Sequence, residues 1–99
     1  MPASLHNLDV FLHAISDPTR RLILRALLEK GANSIGRETG LCAADIEQRV
    51  KLSQPTVSHH MKILEKAHLV HATRQGHWRW YRRNDKLIRE MVKTLKTRL

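Results

Sequence analysis

Leu5, Leu8, Phe11, Leu12 and Ile15 recur at steps of three and four residues, the period of one helix face, and predict a first helix over residues 5–15. Asp17-Pro18 reads as an N-cap followed by proline at the first helical position, where a missing N–H costs nothing. The second helix it opens is expected to reach Lys30, with Ile23, Leu24, Leu27 and Leu28 as its apolar stripe and Gly31 as its stop. Three glycines and an Asn-Ser pair across residues 31–41 predict a loop. A short third helix over residues 42–50 turns Ala43, Ile46 and Val50 inward.

Lys51-Leu52 forms a tight connection to Ser53, whose hydroxyl is suited to cap a fourth helix, with Pro55 tolerated in its first turn. Val57, His60, Met61 and Leu64 follow i, i+3, i+4, i+7 and face the core. Gln54, Thr56, Ser58, His59 and Lys62 are left pointing outward, a short polar face with one charge. His60, on the apolar side, reads as a satisfied core histidine rather than a ligand. Residues 69–74 and 77–83 are β-rich runs around Gln75-Gly76, which predicts a two-stranded hairpin. Trp78 and Trp80 share one strand face and are expected to pack against the core or the last helix. Asn84 or Asp85 caps a last helix over residues 85–98, and its stripe of Leu87, Ile88, Met91, Val92 and Leu95 is wide for a terminal helix.

Ninety-nine residues make one domain, and a chain this short buries only roughly 60–65% of its unfolded surface, so a second copy would add useful burial. The net charge of +9 is segregated. Up to Val50, six basic residues are balanced by six acidic ones, and the whole excess falls after it. That asymmetry points to a polyanion, with nucleic acid ahead of an anionic membrane, because no basic helix carries an aromatic apolar face. One cysteine excludes a disulfide framework and a four-cysteine zinc module and fits a reducing cytoplasm. No apolar run approaches a membrane span, and the first six residues lack the charged and apolar regions of a signal peptide. No phosphate-binding glycine loop or paired-carboxylate pattern appears, and adjacent Ser58 and His59 cannot face each other as nucleophile and base, so no enzyme and no cofactor is expected.

Two short helices around Leu52 followed by a hairpin spell a mainly α, winged helix-turn-helix domain with a two-stranded β-wing. The helix-turn-helix spans about 42–67, the wing about 69–83, and the remaining terminal helices are candidates for dimerisation. The residues also resemble the ArsR/SmtB family of bacterial repressors. The stretches are Asp17-Pro18-Thr19-Arg20-Arg21-Leu22-Ile23-Leu24, Leu41-Cys42-Ala43-Ala44-Asp45-Ile46, and Leu52 through Leu64 with its Ser-Gln-Pro-Thr-Val-Ser-His-His block; Gly76-His77-Trp78-Arg79-Trp80-Tyr81-Arg82 completes the match. The resemblance implies a homodimer, joined through its first and last helices, that binds an inverted-repeat operator in double-stranded DNA and releases it when an inducer binds. A winged module that turns the same surface to protein or RNA is the alternative.

In that frame Gln54 can pair with adenine, Thr56 and Ser58 can reach base edges, His59 meets base or phosphate, and Lys62 meets phosphate. Arg74, Gln75, His77 and Arg79 surround the wing tip, suited to phosphates or a narrow minor groove. Arg82 and Arg83 fit phosphate or a carboxylate equally well. The sensing site departs from the family. Its metal-binding members place Cys-x-Cys before the turn, and here Cys42 is followed by Ala44 in the second slot. Residues 85–99 hold no His or Cys for a last-helix zinc site. One thiolate per subunit makes no soft multi-thiolate centre, so no metal is expected and the inducer stays open. His6 and His13 share a helix face and could join Cys42 as ligands. Cys42, at a helix start, is either a redox-responsive thiol or an inert buried one. The family's glycine near the end of the recognition helix is replaced by His68, at a position expected to need left-handed backbone.

Overall fold

The chain folds as α1 (Ala3–Ile15), α2 (Pro18–Ala26), β1 (Leu41–Cys42), α3 (Ala43–Val50), α4 (Gln54–Lys66), β2 (Val70–Gln75), β3 (Trp78–Arg83) and α5 (Asp85–Arg98). The computed structural model describes residues 3–28 and 40–99, with residues 3–7 and Gln75 described by backbone alone. The expected stop at Gly31 and the loop up to residue 39 lie outside the described residues, as does the side chain of His6. Asp17 opens α2 as expected: Oδ1 accepts from the backbone N–H of Thr19 at 2.7 Å and of Arg20 at 3.3 Å, with Pro18 in the first turn. The far end differs. Regular helix stops at Ala26, and Leu28 N–H bonds back only to the Arg25 carbonyl at 3.1 Å, an i→i−3 closure that leaves Leu28 exposed rather than on the stripe.

Two left-handed residues set the helix-turn-helix angles. Lys51, with φ of 58°, closes α3 through its N–H to the Glu47 carbonyl and turns the chain toward α4. His68, with φ of 59°, closes α4: its own N–H bonds to Glu65 and the next N–H, of Leu69, reaches back to Leu64. That pair of bonds, with Leu64 and Leu69 both fully buried, is a Schellman stop with histidine where glycine is usual.

The hairpin forms with the turn one residue later than expected. Gln75 pairs with Trp78, so Gly76-His77 is the two-residue loop, and the φ of 61° at Gly76 suits the first position of a II′ turn. The wing was expected to have two strands, and the sheet has three, in the order β1-β3-β2. Leu41 pairs with Tyr81 and Cys42 with Trp80. Gly40 permits this approach: a Cβ there would sit 2.7 Å from the Trp80 ring and 2.8 Å from the Tyr81 carbonyl. A two-residue strand has no alternation by which sequence could reveal it.

Tyr81 and Leu41 enter one core with Phe11, Ala14, Ile23, Leu27, Ile46, Val57, Met61, Leu64 and Met91. Removing Leu64 to alanine costs about 2–5 kcal/mol at such a site. Asn84 joins the wing to α5: its side chain donates to the His68 carbonyl at 2.8 Å and accepts from Leu87 N–H at 3.3 Å, while its own N–H reaches Leu69. Along α5 only Met91 is deeply buried. Val92 is 46% exposed and Leu99 97%, and Leu12 on α1 is 36% exposed. Among the described residues no helix is long and apolar enough to cross a membrane.

Candidate nucleic-acid interface

The polar face of α4 stands clear of the core. Gln54, Thr56, His59 and Lys62 are exposed and Ser58 is half-buried, while Val57, Met61 and Leu64 anchor the opposite side. Ser53 holds the N-cap position, but its hydroxyl lies 3.0 Å from the Thr56 hydroxyl and makes no bond to a backbone N–H, which corrects the expected cap. Pro55 removes one of the first-turn donors that such a cap would otherwise serve. Thr56 is thereby oriented at the helix start by a neighbouring side chain.

At the wing, Arg74, His77 and Arg79 are exposed around the turn, whereas the Gln75 side chain lies outside the described residues. Arg79 Nη2 is 4.0 Å from Glu65 Oε1 on α4, and its charge bears on the Tyr81 hydroxyl. Burial pushes the Tyr81 hydroxyl up from its ordinary value against the pull of Arg79. Arg79 thus links wing to recognition helix as well as facing solvent. A cavity of about 130 Å3 lies where α3, the start of α4 and β3 meet, lined by Glu47, Gln54, Ser58, Arg79 and Tyr81.

The two tryptophans separate. Trp80 is 1% exposed, as expected, but Trp78 is 49% exposed and lies over the start of α3, beside Cys42, Ala44 and Glu47. Arg83 also resolves: it is bound to Asp85 and to the Leu24 carbonyl, while Arg82 stays exposed.

Cys42 is buried at the N-cap of α3, where its Sγ donates to Asp45 Oδ2 at 3.1 Å. His13 lies instead in a groove between α1 and α4 with Asp9, Val10, Ile63 and Lys66. Among the described residues no three His, Cys, Asp or Glu side chains are grouped to hold a metal ion.

Sequence reasoning missed Arg20. It is 5% exposed, and it bonds His60 on α4, so His60 is the satisfied histidine its apolar position suggested. The Asp17-Pro18-Thr19-Arg20 run marks a helix start, but nothing local signals a partner 40 residues away.

Residues 17–72 match the family model described as bacterial regulatory protein, arsR family. The chain is 39% identical over 80 residues to an uncharacterized HTH-type transcriptional regulator of Methanocaldococcus jannaschii, covering 81% of each chain. It is 35% identical to an arsenical resistance operon repressor of Staphylococcus aureus, covering 93% of this chain and 80% of that one. Among solved structures, it superposes on the homodimeric winged helix-turn-helix DNA-binding domain of a possible ArsR-family regulator from Mycobacterium bovis, with a TM-score of 0.72 and 21% identity, covering 96% of this chain and 81% of that one. The family model spans more than half of the chain, and the wing, the exposed α4 face and these relatives agree: the chain belongs to the ArsR family and is a transcriptional regulator with a winged helix-turn-helix DNA-binding fold.

Proposed function

We propose that this regulator is a homodimeric repressor that binds an inverted-repeat operator, with α4 in the major groove and the wing along the backbone or in the minor groove. The observation that carries the reading is the exposed row of Gln54, Thr56, His59 and Lys62, tied to the wing through Glu65 and Arg79. Short side chains with both donors and acceptors sit where base edges would lie, and cations flank them where phosphates would lie. The charge excess after Val50 supports the same partner.

The dimer draws support from the apolar surface left on α1 and α5 at Leu12, Val92 and Leu99, and from the homodimeric state of the Mycobacterium bovis domain. Repression rests on the named role of the Staphylococcus aureus relative. That relative's arsenical operon is its own; residue 44 here is alanine and Cys42 is engaged with Asp45, so the cue is not carried over.

The test is selection of duplexes from a random pool, followed by titration at two salt concentrations and footprinting. The reading predicts a steep salt dependence together with two protected half-sites about one helical turn apart. Equal affinity for every duplex, or tighter binding to RNA, contradicts it.

A further inference from the structure

Arg20 joins three helices through one buried guanidinium. Its Nε donates to the Ala14 carbonyl at 2.6 Å and its Nη2 to the His13 carbonyl at 3.0 Å, both at the end of α1, where the last helical carbonyls lack intrahelical partners. Its Nη1 lies 3.2 Å from Nδ1 of His60 on α4, and 4.0 Å from Asp17 Oδ2 beside it at the start of α2. A guanidinium has donors only, so Nδ1 of His60 is the acceptor. The ring is therefore neutral, with its proton on Nε2.

We propose that Arg20 is a positioning residue that fixes the recognition helix against α1 and α2 through the His60 ring, and that protonating this ring releases the helix and lowers DNA selectivity. The inference rests on the reading in which α4 meets DNA. His60 follows directly after exposed His59 on the same helix, so a displacement of α4 at His60 carries the reading face with it. Protonation turns Nδ1 into a donor aimed at other donors, and sets two positive charges about one hydrogen-bond length apart. Around the ring, Asp17 favours the charged form. Burial, Arg20, and His59 with its ring centroid 5.5 Å away oppose it. The balance holds His60 below the ordinary histidine value.

Exposed histidines complicate a plain affinity measurement, because charging them strengthens contact with any phosphate backbone. The ratio of affinities for a duplex selected from a random pool and for its scrambled counterpart removes that common effect. Between about pH 8 and about pH 5 this ratio should fall at least about threefold in the wild-type protein. His60→Asn keeps an acceptor near the Nδ1 position without a titrating ring, and its ratio should change less than about twofold. His71→Asn, exposed on β2 opposite Arg82 and four residues before the end of the strand at the wing turn, should keep the wild-type fall. Nitrogen NMR of the wild-type protein supplies a check independent of any variant: at about pH 8 the proton of His60 should sit on Nε2.

A wild-type ratio that does not fall, an equal fall in H60N, or a proton found on Nδ1 overturns the proposal. A protein that enriches no duplex at about pH 8 overturns the DNA reading instead, and the coupling with it.

Discussion

Arg83 Nε lies 2.7 Å from Asp85 Oδ1, and the same guanidinium reaches the Leu24 carbonyl, 59 residues away in the chain, at 3.2 Å. The end of β3 is thereby fastened to the first turn of α5 and to α2. Arg83→Ala should lower the unfolding free energy by about 1 kcal/mol, a charge-assisted contribution reduced by the partial exposure of Asp85. Arg82→Ala, one residue earlier and exposed, should stay within about 0.5 kcal/mol of wild type in the same denaturant titration.

His68 carries a positive φ that L-residues with a Cβ adopt at a cost. His68→Gly should therefore raise stability by about 0.5–1 kcal/mol, leaving the Schellman bonds and the Asn84 contact in place because both use backbone groups of residue 68 or its neighbours. Thermal melts of the two proteins at one concentration measure it.

Stability should also depend on pH with a defined sign. Burial, ahead of the Arg20 and His59 charges, keeps His60 easier to protonate unfolded than folded. Its contribution is complete above the ordinary value of 6.5 and is lost as pH falls below it. Asp17 acts lower down. Burial raises its carboxyl, but the Thr19 and Arg20 N–H groups with the His60 and Arg20 charges hold it below 3.8, so its contribution persists above that value and disappears as pH falls through the lowered one. Denaturant midpoints should decline from neutral pH toward the acid side, with the first decline flattened in His60→Asn.

Elements with a strong period were legible in the sequence. The apolar steps around Phe11, Ile46, Met61 and Met91 located four helices, and Asp17-Pro18 located the start of α2, because each signal is local. What escaped depends on distant partners. Gly40 makes room for β1 only because Trp80 lies across it, and Arg20 finds His60 only once α1, α2 and α4 meet. Ser53 occupies its expected position with a different bond, since its hydroxyl can accept from a backbone N–H or pair with the Thr56 hydroxyl, and here it does the second. Trp78 and Trp80 share a strand face, yet the strand outruns the buried part of the sheet and leaves Trp78 in solvent. Of the interface, the outward α4 residues and the wing cations were readable from helical phase and charge. The approach of Arg79 to Glu65 was not.

If α1 and α5 form the dimer interface, Val92→Glu should separate the subunits, because it places a charge on an exposed apolar position of α5 and leaves buried Met91 in place. Sedimentation should report a folded monomer, and affinity for a two-half-site duplex should drop more than affinity for a single half-site.

Paired titrations of Gln54→Ala and Arg74→Ala against a set of single-base variants of the selected duplex test the central claim most directly. Loss of Gln54 should erase discrimination at one position, worth about 1–3 kcal/mol, and leave the others intact. Loss of Arg74 should weaken every duplex alike and reduce the salt slope by about one. Discrimination that survives unchanged in the first variant, together with an unaltered salt slope in the second, would contradict an α4 face that reads bases beside a wing that grips the backbone.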